Sequence, residues 1–214
     1  MKDNTTLAKR SETHFMRRVW HIITGILGLS LYFVLELSRW ECVLITAIIA
    51  LLGFIFDFRR LKSAKLNNSM YKYLGSIMRE SERDSFSGLP FYALGVCFSF
   101  LFFSESIAIM AIMFLVFADP MASVIGVNFG RDRLFPNKSL QGTIAAFLTC
   151  FFIVVFYAVY LGRPSPNLII FAFFSALFGC FSELISTFNI DDNLSIPVLS
   201  GGGMSLLNLW LNVF

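Results

Sequence analysis

The residues of this 214-residue chain best suited to chemistry begin with Asp119-Pro120-Met121-Ala122-Ser123-Val124-Ile125-Gly126-Val127-Asn128-Phe129-Gly130. Proline removes a backbone donor and crowds the preceding turn, so it kinks or breaks a helix. Asp119 is thereby placed at a discontinuity, where a carboxylate can reach a cation or a ligand. Ser123, four residues on, shares its helix face. Gly126 and Gly130 are also four apart. That spacing lets membrane helices pack closely, and it equally lets a backbone approach a phosphate. On spacing alone, packing is favoured. Arg131, Arg133 and Lys138 follow at once, and Ser139, Gly142 and Thr143 open the next apolar run. Glycines, three cations, hydroxyls and a helix N-terminus suit a polyphosphate cradle. A positively charged topological anchor would have the same composition.

Two further constellations lie elsewhere. Glu183 is followed by Asp191-Asp192-Asn193 and then Pro197. Paired hard oxygens suit Mg²⁺, which takes one or two carboxylates and completes its shell with substrate phosphates. Asp and Asn also favour turns, so an acidic cap is the competing reading. The third constellation is Arg17-Arg18-Val19-Trp20-His21. The arginines and Trp20 suit a membrane interface. His21, with a reference pKa of ~6.5, suits proton transfer at neutral pH, or serves as a hydrogen-bonded structural histidine.

The elements that must position these residues are membrane helices. Hydrophobic residues make up 57% of the chain and charged ones only 14%, against ~25% charged in soluble domains. The 26 phenylalanines are more apolar surface than so small a soluble domain can hide. A net charge of +3 gives no reason to expect a nucleic-acid partner. Spans of ~20 apolar residues are expected at 19–37, 41–56, 88–103, 105–127, 140–162, 167–188 and 195–214. The second and third are short enough to need extension, and Gly201-Gly202-Gly203 interrupts the last. The expected fold is all-α: a polytopic membrane helix bundle of about seven transmembrane helices, forming a single integral membrane domain over 1–214. No internal repeat is evident, and no cleavable signal is read at the N-terminus. Cys42, Cys97, Cys150 and Cys180 lie singly in apolar stretches, so they read as small buried residues rather than a zinc or redox motif.

Orientation follows from Lys and Arg. The 1–18 tail holds five, the 57–87 loop seven and the loop after the fourth span three, while the opposite side holds only Arg39 and Arg163. The N-terminus is therefore expected in the cytoplasm and the C-terminus outside. His21, Asp119, Lys138, Glu183, Asp191 and Asp192 then all reach the cytoplasmic face, where intramembrane ionisable groups are costly and usually functional. Within the 57–87 loop, Leu66, Met70, Tyr73, Leu74, Ile77 and Met78 recur at helical spacing between Lys62, Lys65, Lys72 and Arg79. Such a helix over 62–79 either lies in the membrane interface or packs on the bundle.

With these motifs in view, the chain resembles the CTP-dependent lipid-alcohol kinases: dolichol kinase, phytol kinase and CTP-dependent diacylglycerol kinase. The resemblance rests on Arg17-Arg18-x-x-His21 and on Asp119-Pro120-x-Ala122-x-x-x-Gly126-x-x-x-Gly130 with Lys138-Ser139-x-x-Gly142-Thr143-x-Ala145. It continues in Glu183 and Asp191-Asp192-Asn193-x-x-x-Pro197. These motifs occur in the family's order over residues 17 to about 200, and the central block is the most specific. The family's first motif has Lys where this chain has Arg18, which keeps the charge but changes the donor geometry.

The resemblance implies a membrane enzyme that moves the γ-phosphate of CTP to a lipid alcohol with Mg²⁺ or another divalent cation. CTP would lie against the 126–143 segment, with Arg131, Arg133 and Lys138 on its phosphates and Arg17 and Arg18 as further phosphate ligands. Asp119, Asp191 and Asp192 would hold the metal, and Asp119, Glu183 or His21 would take the hydroxyl proton. The related phosphatidate cytidylyltransferases share the nucleotide block and would transfer CMP instead. A small ion or solute transporter is a rival from another class, but its polar residues should spread through the membrane thickness. Short loops favour a bacterial inner membrane, with an endoplasmic-reticulum membrane the other candidate. The resemblance specifies neither the acceptor lipid nor an oligomeric state.

Overall fold

Several helices begin where the sequence supplies a polar cap. The computed structural model describes residues 4–135, 138–163, 165–185 and 190–214, with side chains from Phe15 onward. Helix α1 runs Asn4–Val34. Ser38 then opens α2, Arg39–Leu61, with a capping box in which Ser38 and Glu41 exchange side-chain-to-backbone bonds, satisfying donors that a helix start otherwise leaves unpaired. Ser63 caps the short α3, Ala64–Leu74. A 3₁₀ turn at Glu80–Arg83 leads to α4, Gly88–Phe102. Helices α5 (Glu105–Met113) and α6 (Asp119–Phe129) are joined by a π turn over Phe114–Ala118, so that Glu105–Phe129 is one rod. Strands β1 (Arg133–Phe135) and β2 (Lys138–Ser139) pair antiparallel. The chain continues as α7, Leu140–Tyr160, α8, Leu168–Ile185, and α9, Asp192–Leu211.

Among the described residues, five helices are long and apolar enough to cross a membrane: Arg39–Leu61, Glu105–Phe129, Leu140–Tyr160, Leu168–Ile185 and Asp192–Leu211. The Glu105–Phe129 rod is the most buried of the five and α2 the least. The core gathers on the rod: Met110, Ala111, Phe114, Leu115 and Val116 are fully buried, with Val154, Phe171, Ala176 and Met204 around them. Large apolar side chains such as Val34, Leu44, Phe156, Leu209 and Trp210 face outward, the inverse of a soluble surface and the pattern a bilayer solvates.

The structure departs from the expected spans in identifiable ways. The first helix does not begin at residue 19 but runs on from Asn4. The second extends to 23 residues, whereas the third stays at 15 because the chain turns extended at Phe103. Residues 186–188, expected at the end of the sixth span, lie outside the described residues. Helix α9 is not interrupted by its glycines. A Cβ at Gly201 would lie 2.3 Å from the Phe103 ring, and one at Gly203 2.3 Å from Phe178, so these glycines seat neighbouring rings. The bundle is all-α apart from the β1–β2 pair, which the sequence reading did not contain. The amphipathic helix expected over 62–79 is shorter, ending at Leu74. It leaves Tyr73 73% exposed while Met78, beyond its end, is buried. The four cysteines are buried and free.

One polar network fixes the 57–87 segment. Arg60 and Asp57 are fully buried and paired at 2.6 Å. The Arg60 guanidinium also donates to Asn67 Oδ1 at 2.9 Å and to the Ser85 carbonyl at 2.6 Å, while Asp57 Oδ2 accepts from the Ser87 amide and hydroxyl. A buried ion pair with its remaining donors satisfied is tolerated, and one with a missing partner is not. The network ties the end of α2 to α3 and to the start of α4, and so holds the loop that carries Arg79 and Glu82.

Candidate functional site

Pro120 shapes the centre of the site without breaking the helix. It has no N–H, and the Asp119 N–H reaches back five residues to the Phe114 carbonyl. The Leu115 carbonyl thus loses the α-helical donor at Asp119, and the next residue along is a proline. His21 Nε2 lies 3.2 Å from that oxygen. A carbonyl can only accept, so Nε2 carries a proton and Nδ1 is the ring atom left for further chemistry. The ring stands edge-on to Tyr92 at 5.0 Å. One turn earlier, Arg18 donates from Nε to Ser123 Oγ at 2.9 Å and from Nη2 to the Ser123 carbonyl at 3.2 Å. A guanidinium fork can serve both atoms, whereas a lysine in its place would be a single point donor. Arg18 therefore fastens α1 to α6, and His21 fastens it to the π turn just before α6.

Three cations, Lys138, Arg79 and Arg17, surround this centre in five ion pairs. Lys138, from β2, pairs with Glu183 of α8. Burial lowers the Lys138 pKa, but Asp119, Glu183 and Asp192 together raise it further, so the ammonium stays charged. Arg79 pairs with Asp192 and lies 3.5 Å from Asp191. Arg17 lies 3.7 Å from Glu82 and 4.0 Å from Asp192. Asp191 also caps α9, accepting from the Asn193 amide at 3.0 Å. The Asn193 side-chain amide in turn donates to the Gly88 carbonyl at 3.3 Å, and a Cβ at Gly88 would sit 2.7 Å from it. Burial raises the Glu82 pKa, against the pull of Arg17 and Arg79. Burial and the adjacent Asp192 push Asp191 up to about 6.

Asp119 stands apart. It is partly buried, yet among the described residues its carboxylate has neither an ion pair nor a hydrogen bond. Its field still bears on Arg79 and Lys138. A carboxylate kept unpaired among cations is available to a substrate or a cation.

The glycines behave as packing residues in this structure. Gly126, Gly130 and Gly142 all close on Ser139: a Cβ at Gly130 would lie 2.7 Å from Ser139 Oγ, and one at Gly142 2.6 Å from the Ala122 carbonyl. Ser139 caps α7 through the Gly142 amide at 3.2 Å, and the Thr143 hydroxyl donates to the Ser139 carbonyl at 3.2 Å. Arg131 and Arg133 are exposed and stand outside these five ion pairs. The structure thus gathers Arg17, Arg18, His21, Asp119, Ser123, Lys138, Glu183, Asp191 and Asp192 at one end of the bundle, while Arg131 and Arg133, among the described residues, make no ion pair with them. Sequence reasoning missed Arg79 and Glu82 as members. Helical periodicity put Arg79 on the polar face of a longer helix, and only the early end of α3 turns it toward Asp191 and Asp192. Gln141 was missed as well. Its side chain accepts from the Arg131 amide at 3.1 Å and donates to Asp132 at 2.7 Å, bracing the turn into the hairpin.

For a divalent cation the available donors are hard oxygens. No group of three or more His, Cys, Asp or Glu side chains converges among the described residues, so the expected set of Asp119, Asp191 and Asp192 is not gathered as one cluster. The adjacent Asp191 and Asp192 fit a cation that takes one or two carboxylates and draws the rest of its shell from phosphates and water.

The chain matches the cytidylyltransferase family over residues 5–188 and belongs to it. Proteins similar to it include kinases. It is 33% identical over 207 residues to CTP-dependent diacylglycerol kinase 1 of Saccharomyces cerevisiae, covering 86% of this chain and 70% of that protein. Identity to CTP-dependent diacylglycerol kinase 1 of Eremothecium gossypii is 30%, covering 86% of this chain and 64% of that protein. Identity to the chloroplastic phytol kinase 1 of Arabidopsis thaliana is 27%, covering 90% and 67% respectively. No solved structure matches the chain significantly.

Proposed function

We propose that this protein transfers the γ-phosphate of CTP to the hydroxyl of a lipid alcohol. The CTP-dependent kinases among its relatives support the donor and the reaction class, and the unpaired carboxylate of Asp119 is the structural observation that carries the chemistry. The acceptor hydroxyl oxygen bonds to the γ-phosphorus, the bond from that phosphorus to the β-bridging oxygen breaks, and CDP leaves. The hydroxyl proton passes to Asp119. Glu183 is engaged by Lys138 and His21 spends Nε2 on Leu115, which leaves Asp119 as the preferred base. Such a transfer depends mainly on positioning and charge neutralisation. Lys138 and Arg18 both bring positive charge to bear on Asp119. Ser123, Ser139 and Thr143 offer hydroxyls beside them, Gly126, Gly130 and Gly142 let the backbone close on Ser139, and Arg131 and Arg133 would reach the phosphates from solvent. Asp191 and Asp192 would hold Mg²⁺, which when bound neutralises phosphate charge.

We place the charged end of the bundle in the cytoplasm, with α1 and α4 completing seven spans around the five long helices. The fifteen-to-two distribution of Lys and Arg supports this orientation. Short loops support a bacterial inner membrane. The lipid chain would approach from the side, between phenylalanine-bearing helices whose large apolar side chains face outward.

Phosphatidate cytidylyltransfer is the second reading, because the family carries that name. Its acceptor is a phosphate monoester and its product is pyrophosphate. The test is acceptor dependence. Purified protein in phosphatidylcholine nanodiscs should release CDP from CTP only when diacylglycerol, a polyprenol or phytol is added. Pyrophosphate released on adding phosphatidate would replace the kinase by the cytidylyltransferase.

A further inference from the structure

Arg79 lies outside every motif that pointed to the reaction, yet it is bound to both acids of the Asp191-Asp192 pair. Its backbone is fixed: its carbonyl accepts from the Tyr71 hydroxyl at 2.8 Å and from the Glu82 amide at 3.0 Å. Its side chain remains 34% exposed. The anchored part is therefore the main chain, and the part free to change partner is the guanidinium. Asp191 and Asp192 cannot give the same oxygens to Arg79 and to a divalent cation. Arg17, the other cation paired with Asp192, is shared with Glu82 at 3.7 Å and lies farther from Asp192, at 4.0 Å.

We infer that Arg79 is an exchangeable phosphate ligand: it occupies the Asp191-Asp192 carboxylates in the nucleotide-free protein and moves onto the nucleotide phosphates when those carboxylates take a divalent cation. The inference rests on the reading of Asp191 and Asp192 proposed above. A guanidinium fork fits a carboxylate pair and a phosphate equally well in geometry, so the exchange replaces one bidentate partner by another. Without nucleotide, Arg79 competes with the cation. With nucleotide, the phosphates compete for Arg79 and leave the carboxylates open. Cation and CTP should therefore bind cooperatively through this one side chain, and by linkage each should tighten the other by the same factor.

The test is titration of Mn²⁺, followed by its electron paramagnetic resonance signal, into purified protein in phosphatidylcholine nanodiscs with and without CTP. In the unmodified protein CTP should tighten Mn²⁺ by about ten-fold or more, within the roughly 5–150-fold typical of coupled sites. Arg79→Gln should bind Mn²⁺ alone about ten-fold more tightly than the unmodified protein, bind CTP alone more weakly, and lose most of the coupling. Should Arg79→Gln fail to fold, Arg79→Lys makes the same comparison, keeping charge but not the fork. Mn²⁺ affinity that Asp191→Asn abolishes but Arg79→Gln leaves unchanged or weakens overturns the exchange and leaves the cation site standing. If Mn²⁺ binds none of these proteins, with or without CTP, the cation site fails and the exchange with it.

Discussion

His21 Nε2 and the Leu115 carbonyl lie 3.2 Å apart, joining α1 to a carbonyl that the π turn before Pro120 leaves without its helical donor. Removing the imidazole strands that oxygen at a fully buried residue. An unsatisfied buried acceptor costs ~1–3 kcal/mol. His21→Ala should lower stability by about that amount, and His21→Gln, whose amide can donate, should recover part of it. Thermal unfolding of both variants in one detergent checks this. Equal stability of His21→Ala and the unmodified protein would contradict the assignment.

The buried pair of Asp57 and Arg60 predicts a larger effect. Arg60→Ala leaves Asp57 charged and nearly inaccessible, and breaking a buried pair from one side costs ~3–5 kcal/mol. Denaturant unfolding in mixed micelles should show a loss of that size. The 75–87 loop should also become more susceptible to limited proteolysis, because Asn67 and Ser85 lose their shared anchor.

The pH dependence of cation binding follows from Asp191. Its carboxyl is raised from 3.8 to about 6 by burial and by Asp192. A carboxyl raised in the folded state contributes stability that is complete below the unfolded value and is lost as pH rises through about 6. At neutral pH the pair is therefore held ionised at a cost that a divalent cation relieves. Mg²⁺ should raise the thermal midpoint more at about pH 7.5 than at about pH 5. Equal shifts at both values would remove Asp191 from the cation site.

Topology can be tested without activity. Single cysteines at the exposed positions Ser69 and Leu134, in a cysteine-free background, should resist an impermeant thiol reagent in intact cells and react after lysis. Labelling of either in intact cells would reverse the proposed orientation.

Much of this arrangement was legible because membrane burial leaves a strong signal. Long apolar runs located the spanning helices, and the shared sidedness of His21, Asp119, Glu183 and Asp191 brought them to one end. Tertiary packing wrote the rest. Gly201 and Gly203 read as an interruption until Phe103 and Phe178 are seen to need their missing side chains. Pro120 read as a break, but its effect appears upstream as a π turn, because the lost donor would have served a carbonyl four residues earlier. Arg79 read as one lysine-like charge among seven. Its pairing with Asp191 and Asp192 spans more than a hundred residues of sequence and has no local signature.

The central claim is the transfer of a terminal phosphate to lipid, and its most direct test follows the atoms. Purified protein with diacylglycerol is given CTP labelled at the γ-phosphate in one reaction and at the α-phosphate in another. The lipid product should carry the γ label and none of the α label. Asp119→Asn, which nearly preserves volume but removes the anion, should still fold and insert while abolishing the transfer. Appearance of the α label in lipid would contradict the kinase account, and full γ transfer by Asp119→Asn would contradict the role given to Asp119.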